Sequence, residues 1–187
     1  MKKLLSVAFV SSAILFCAGA SAAMTSDTVM VGGAAMFPSK NIVENAVNSK
    51  DHTTLVAAVK AAGLVDTLQS KGPFTVFAPT NAAFAKLPAG TVDNLVKPEN
   101  KATLTSILTY HVVAGNYDMK ALEQKIKQGG GHAELKTVNG QPLWIMSNGL
   151  HNIQLKDGQG NVANISTYDV HQKNGVIDVI DTVLMPK

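Results

Sequence analysis

Four dipeptides punctuate the last third of the chain: Asn139-Gly140, Asn148-Gly149, Asp157-Gly158 and Asn174-Gly175. Such pairs accept the positive φ angles of tight hairpins, and the runs between them are rich in strand formers at a period of two. Strands are therefore expected over 134–138, 142–147, 150–156, 161–170 and 176–184, as an antiparallel meander. Before Gly131 the apolar spacing is helical instead. Ile42, Val43, Ala46 and Val47 form one face; Leu55, Val56, Val59 and Ala62 form the next, with Asp51 as a candidate N-cap and Gly63 as the stop. Val92, Leu95 and Val96 follow, then Leu104, Ile107, Leu108 and His111 at i, i+3, i+4 and i+7. A last helix opens at Asp118 and closes at Gly129. Helices gathered first and strands gathered second predict an α+β domain, its sheet packed under a layer of short helices.

The ends set the limits of that domain. Lys2 and Lys3 precede an apolar run that closes on Ala20-Ser21-Ala22, the layout of a secretory signal peptide over residues 1–22. The run is too short for a comfortable membrane span, and no later segment has the length of one. Residues 23–37, small and aperiodic, are expected as a flexible lead-in, and 38–187 as one domain. The expected product is exported to the periplasm or beyond and is a monomer. The sole cysteine, Cys17, lies in the leader, so the mature chain has no disulfide and its stability must come from packing. About 160 residues suffice for one core. Without Lys2 and Lys3, 14 lysines face 13 acids, and there is no arginine. Lacking the planar fork that grips phosphate and guanine, and any lysine cluster, the chain is not expected to bind nucleic acid.

Within the first half, between the run that stops at Gly63 and the run that begins at Val92, stands FTVFAPTNAAF, Phe74 to Phe84. Thr75-Val76-Phe77 reads as strand, Pro79 cannot continue a central ladder, and Thr80 occupies an N-cap position ahead of Ala82, Ala83 and Phe84. A strand handing over to a helix explains every residue type here. A nucleophilic threonine needs a base and an orienting group, and no pattern supplies them. This stretch resembles the first signature of the fasciclin (FAS1) domain. NGVIDVIDTVLMP, Asn174 to Pro186, resembles the second, and Tyr110-His111 matches the Tyr-His motif between them. The resemblance covers roughly 41–186 and is nearest to the single-domain bacterial secreted type. It implies a compact α+β fold, an antiparallel β-wedge with a layer of short helices. It also implies an exported, non-enzymatic adhesion module that contacts a protein or carbohydrate partner at a cell surface or matrix, with Tyr110 and His111 as binding residues by family likeness. By spacing alone, His111 continues the apolar face of its helix and reads as a buried, hydrogen-bonded histidine.

The remaining constellations have structural readings. Asp178 and Asp181 are three apart in a predicted strand, so they point to opposite faces about 10 Å apart and form no catalytic pair. Apolar residues on both faces mark that strand as central, with the aspartates meeting backbone donors or solvent. His52, His111, His132, His151 and His171 show no ligand spacing, and no cofactor or metal is expected. Trp144 in PLWIM reads as core, and Met119, Met146 and Met185 as core filler. Asn164-Ile165-Ser166 is a sequon that a bacterial leader makes incidental. The second functional reading is a binder of a small ligand or metal, with its pocket between helices and sheet.

Overall fold

The computed structural model describes residues 28–149 and 152–187. The leader, Cys17 and His151 lie outside them. A hairpin of β1 (Val29–Val31) and β2 (Ala34–Met36) comes first. Then come α1 (Ile42–Ala46), α2 (Thr53–Ala62), α3 (Val65–Gln69), β3 (Phe74–Pro79), α4 (Asn81–Ala85), α5 (Thr91–Leu95), α6 (Lys101–Tyr110) and β4 (Val112–Ala114). The chain ends with α7 (Met119–Gln128), β5 (His132–Lys136), β6 (Pro142–Ser147), β7 (Ile153–Lys156), β8 (Val162–Gln172) and β9 (Gly175–Ile180).

The main sheet has seven strands in the order β4-β3-β9-β8-β7-β6-β5. From β5 to β9 it is the expected antiparallel meander. The sheet as a whole is mixed, because β3 lies parallel to β9. The two outer strands nearly meet: Val113 bridges Thr137, and Val138 N–H donates to the Val112 carbonyl at 2.7 Å. The sheet thus curls almost shut.

Strands β3 and β9 are buried on both faces and separate two cores. Val76, Ala78, Ile177 and Val179 pack beneath Leu55, Val59, Leu104 and Leu108 of the helical layer. Phe77 and Ile180 face the other way, into the curled sheet, with Leu122, Leu143, Ile145 and Leu155. The parallel join tolerates no side chain at Gly175, where a Cβ would run into the Phe74 carbonyl.

Several expectations change here. Within 23–37, residues 29–36 pair as the hairpin, and Val31 and Met36 are buried in the helical-side core, because two apolar side chains gain more there than a mobile lead-in offers. Asp51 caps nothing: it lies in a 3-10 turn, Lys50–His52, ahead of α2. The last strand ends at Ile180 rather than 184, since the segment beyond it turns away to the loops described below. Gly63 does stop α2, with φ +74°, and Asp118 does cap α7, accepting from Ala121 N–H at 2.8 Å. Among the described residues no helix is long and apolar enough to cross a membrane.

Candidate functional site

The residues of the Tyr-His motif end α6, whose Leu104, Ile107 and Leu108 anchor it in the core. Tyr110 is 0% exposed and His111 2%. The Tyr110 hydroxyl donates to the Pro142 carbonyl at 2.8 Å and accepts from Gly158 N–H at 3.0 Å. On His111, Nδ1 meets the Ile107 carbonyl at 2.8 Å, and Nε2 accepts from Leu184 N–H at 3.0 Å. A carbonyl can only accept, so the proton resides on Nδ1 and the ring is the neutral tautomer. Burial lowers the His111 pKa to about 4, against the opposing effects of the Ile107 carbonyl and the Asp157 charge. With its lone pair held by an amide, His111 has no base to offer.

Asp157, 1% exposed, completes this cluster. It accepts from the backbone N–H of Gln159, Asn161 and Met185, at 2.9, 2.8 and 2.8 Å, and from the Asn161 side-chain amide at 2.8 Å. Tyr110, His111 and Asp157 therefore clamp the segment after β9 and the 157–161 turn onto the end of the sheet. Sequence reasoning saw Asp157 only as a turn residue. Its burial depends on partners 28 residues away, which spacing cannot show.

The two signature stretches behave alike. The Thr80 hydroxyl accepts from Ala83 N–H at 3.2 Å and so caps α4. Asn81 reaches out of its own helix. Its Oδ1 accepts from Thr54 N–H at 3.0 Å and its Nδ2 donates to the Lys50 carbonyl at 2.8 Å, supplying the cap that α2 lacks locally. Asn174 accepts from Ile42 N–H at 3.1 Å and donates to the carbonyls of Leu68 and Ser70, each at 2.8 Å, tying α1 and α3 to the sheet.

Asp178 and Asp181 have separate partners. Asp178 is fully buried and accepts from Asp169 N–H at 3.0 Å. Burial first, then the charges of Asp169 and Asp118, push its pKa up to about 7 despite that hydrogen bond. Asp181 accepts from the Asn164 backbone and side-chain amides at 2.8 and 2.9 Å and lies 3.8 Å from Lys86 Nζ. For Asp181, burial acts to raise the pKa and is outweighed by these hydrogen bonds and the lysine, which bring it below the usual carboxylate range. Of the histidines, His52 is buried against Ser49 Oγ at 2.8 Å, while His132 and His171 are exposed on different strands. Among the described residues, no three His, Cys, Asp or Glu side chains gather as metal ligands.

Trp144 corrects its expected place. The alternation of β6 turns Leu143 and Ile145 inward and leaves Trp144 and Met146 half-exposed on the outer face. Strand pairing lines up Glu134, Trp144, Lys156 and Val162 across four strands, with His132, Met146, Gln154 and Asn164 in the adjacent row. Helix α7 packs Leu122 and Ile126 on the inner side of these strands. An indole thus stands on a polar sheet face, between a carboxylate and an ammonium. The period of two in PLWIMS carried this signal, since two flanking aliphatics cannot share a face with the residue between them.

The chain matches the fasciclin domain model over residues 50–186. It is 45% identical to protein sll1483 of Synechocystis sp. over 164 residues, covering 87% of this chain and 82% of that one. It is 37% identical to the immunogenic protein MPB70 of Mycobacterium bovis over 180 residues, covering 91% and 80%. The cell surface glycolipoprotein MPB83 of the same organism is 38% identical over 161 residues, covering 83% and 64%. The solved FAS1 domain pair of the insect cell adhesion molecule fasciclin I superposes with a TM-score of 0.69 at 20% identity, covering 80% of this chain and 52% of that one. This chain therefore spans about half of that structure. Tyr110, His111, Thr80 and Asn174 sit where helices join the sheet, Asn81 ties α4 to the start of α2, and the chain belongs to the fasciclin family.

Proposed function

We propose that this protein is an exported, monomeric, non-enzymatic adhesion module, and that the outer face of β5–β8 around Trp144 contacts a protein or carbohydrate partner at a cell surface or matrix. Fasciclin domains are generally non-enzymatic, and related chains carry the descriptions cell surface glycolipoprotein and cell adhesion molecule. One observation carries the choice of surface: the only tryptophan of the chain lies half-exposed among Glu134, Lys156 and Gln154, on a face whose structural work is done by the inward residues. Aromatic side chains that present an apolar body in a polar surround are what recognition surfaces use as anchors.

In this reading Tyr110 and His111 are positioning residues. Both are buried with every polar atom engaged, so their contribution to binding is to hold the sheet in shape. Arrays of purified matrix proteins and glycans test the proposal. The expected result is at least one ligand whose signal drops about tenfold or more with Trp144→Ser at unchanged Tm. Binding that Trp144→Ser leaves intact contradicts the chosen surface, and no binding above control on either array contradicts adhesion.

A further inference from the structure

The helical layer does not seal against the sheet. A cavity of about 80 Å³ lies between them, floored by Val76 and Ile177 and walled by α1, α2 and α3. One water needs roughly 10–15 Å³ by this measure, so the space exceeds an ordinary packing gap several-fold. Its walls are almost entirely hydrocarbon and offer water little to bond. An apolar group is the occupant such walls favour.

The rim has a different chemistry. Val43, Ala46, Val56 and Val65 around the mouth are half-exposed, and Lys60, in the last turn of α2, is exposed among the lining residues. Lys60 is the sole lysine of that lining, and no carboxylate belongs to it. Deeper in the wall is His52, 3% exposed, with Nδ1 on Ser49 Oγ at 2.8 Å and the Ala78 backbone beside its ring. Burial lowers the pKa of this imidazole, so it adds no positive charge of its own at neutral pH.

We infer that this cavity binds the hydrocarbon chain of a free anionic amphiphile of the fatty-acid class, the chain lying between α1, α2 and the sheet and the anionic head at Lys60. Charge selects the class: Lys60 is the one lysine among the lining residues and no Asp or Glu is among them, so a carboxylate head beside it is favoured over a neutral or cationic one. This site lies on the helical side of β3 and β9, away from the face that carries Trp144, and it stands or falls independently of the adhesion reading.

Decanoate, decanol and decyltrimethylammonium below their micellar concentrations are the probes, with the full mature chain, and Tm and titration calorimetry are the readouts. Decanoate is expected to raise Tm saturably and to bind at least fivefold more tightly than decanol, with the ammonium weakest. Lys60→Glu, an exposed substitution, is expected to erase the preference for decanoate while leaving decanol binding in place. Val56→Trp at the half-exposed mouth is expected to block both. Trp144→Ser is expected to change none of these results. Absence of a decanoate-dependent Tm rise overturns the inference. So does equal affinity for decanoate and decanol, binding that survives Val56→Trp, or capture by anionic vesicles without binding of monomeric decanoate.

Discussion

Two buried titratable groups oppose each other. His111 has its pKa lowered from 6.5 to about 4, so the unfolded chain binds more protons between those values, and this residue's contribution falls as pH drops from about 6.5 toward 4. Asp178 has its pKa raised from 3.8 to about 7, so the folded protein binds more protons there, and its contribution falls as pH rises from about 4 toward 7. The two effects are on the order of 3 and 4 kcal/mol and run against each other over the same window. His52, also lowered by burial, adds to the histidine side. The stability of the native sequence is therefore expected to change little between pH 4 and 6.5. Asp178→Asn removes the acid's side of the balance, and its stability in urea is expected to rise steeply over that window, with its gain over the native protein largest near pH 8. A variant profile parallel to the native one contradicts this assignment. That His111 is buried was legible from its place at i+7 on an apolar helix face. That Asp178 lies on a central strand and meets a backbone donor was legible too; that the donor is a β8 amide and that Asp169 and Asp118 stand near was not, because folding brings them together.

The elements themselves were largely legible, since periodicity switches from helical to strand-like where Gly129, Gly130 and Gly131 fall, and the turn pairs mark hairpins. The supports between them were not. Asp51 looked like the cap of α2 because it precedes the apolar run, whereas Asn81, 27 residues from Thr54, does the capping. The two readings separate experimentally. Asn81→Ala is expected to lower stability by about 1–2 kcal/mol, through an uncapped amide and an unpaired Lys50 carbonyl. Asp51→Ala is expected to stay within about 0.5 kcal/mol. Equal losses for both would mean that the local cap operates after all. The hairpin of residues 29–36 escaped sequence reasoning although Gly32-Gly33, both at positive φ, is a turn pair of the same kind; its three-residue arms are too short to show a period, and the core they meet fixes Val31 and Met36 inside.

At the scale of the whole molecule, β3 and β9 form a shared wall between two cores, and this ties the halves into one cooperative unit. Trp144 fluorescence reports on the curled sheet, and helical ellipticity reports mainly on the other side. Both are expected to give one urea midpoint; two midpoints would show that the cores unfold separately. The sequence order of helices and strands made the α+β class evident, but neither the parallel β3–β9 pair nor the near closure through Val113 and Thr137 leaves a local trace. The outward Trp144 did leave one, in the alternation of its own strand.

The central claim is that the Tyr-His motif holds the scaffold while the outer sheet face makes contact. It is tested most directly by partner binding per folded molecule, measured alongside Tm, for Tyr110→Phe and Trp144→Ser. Removing the Tyr110 hydroxyl leaves the Pro142 carbonyl and Gly158 N–H unpaired, so Tyr110→Phe is predicted to lose about 1–3 kcal/mol of stability and to bind normally once folded. Trp144→Ser is predicted to keep its Tm and lose binding. Folded Tyr110→Phe that no longer binds, beside Trp144→Ser that binds as before, would contradict the account.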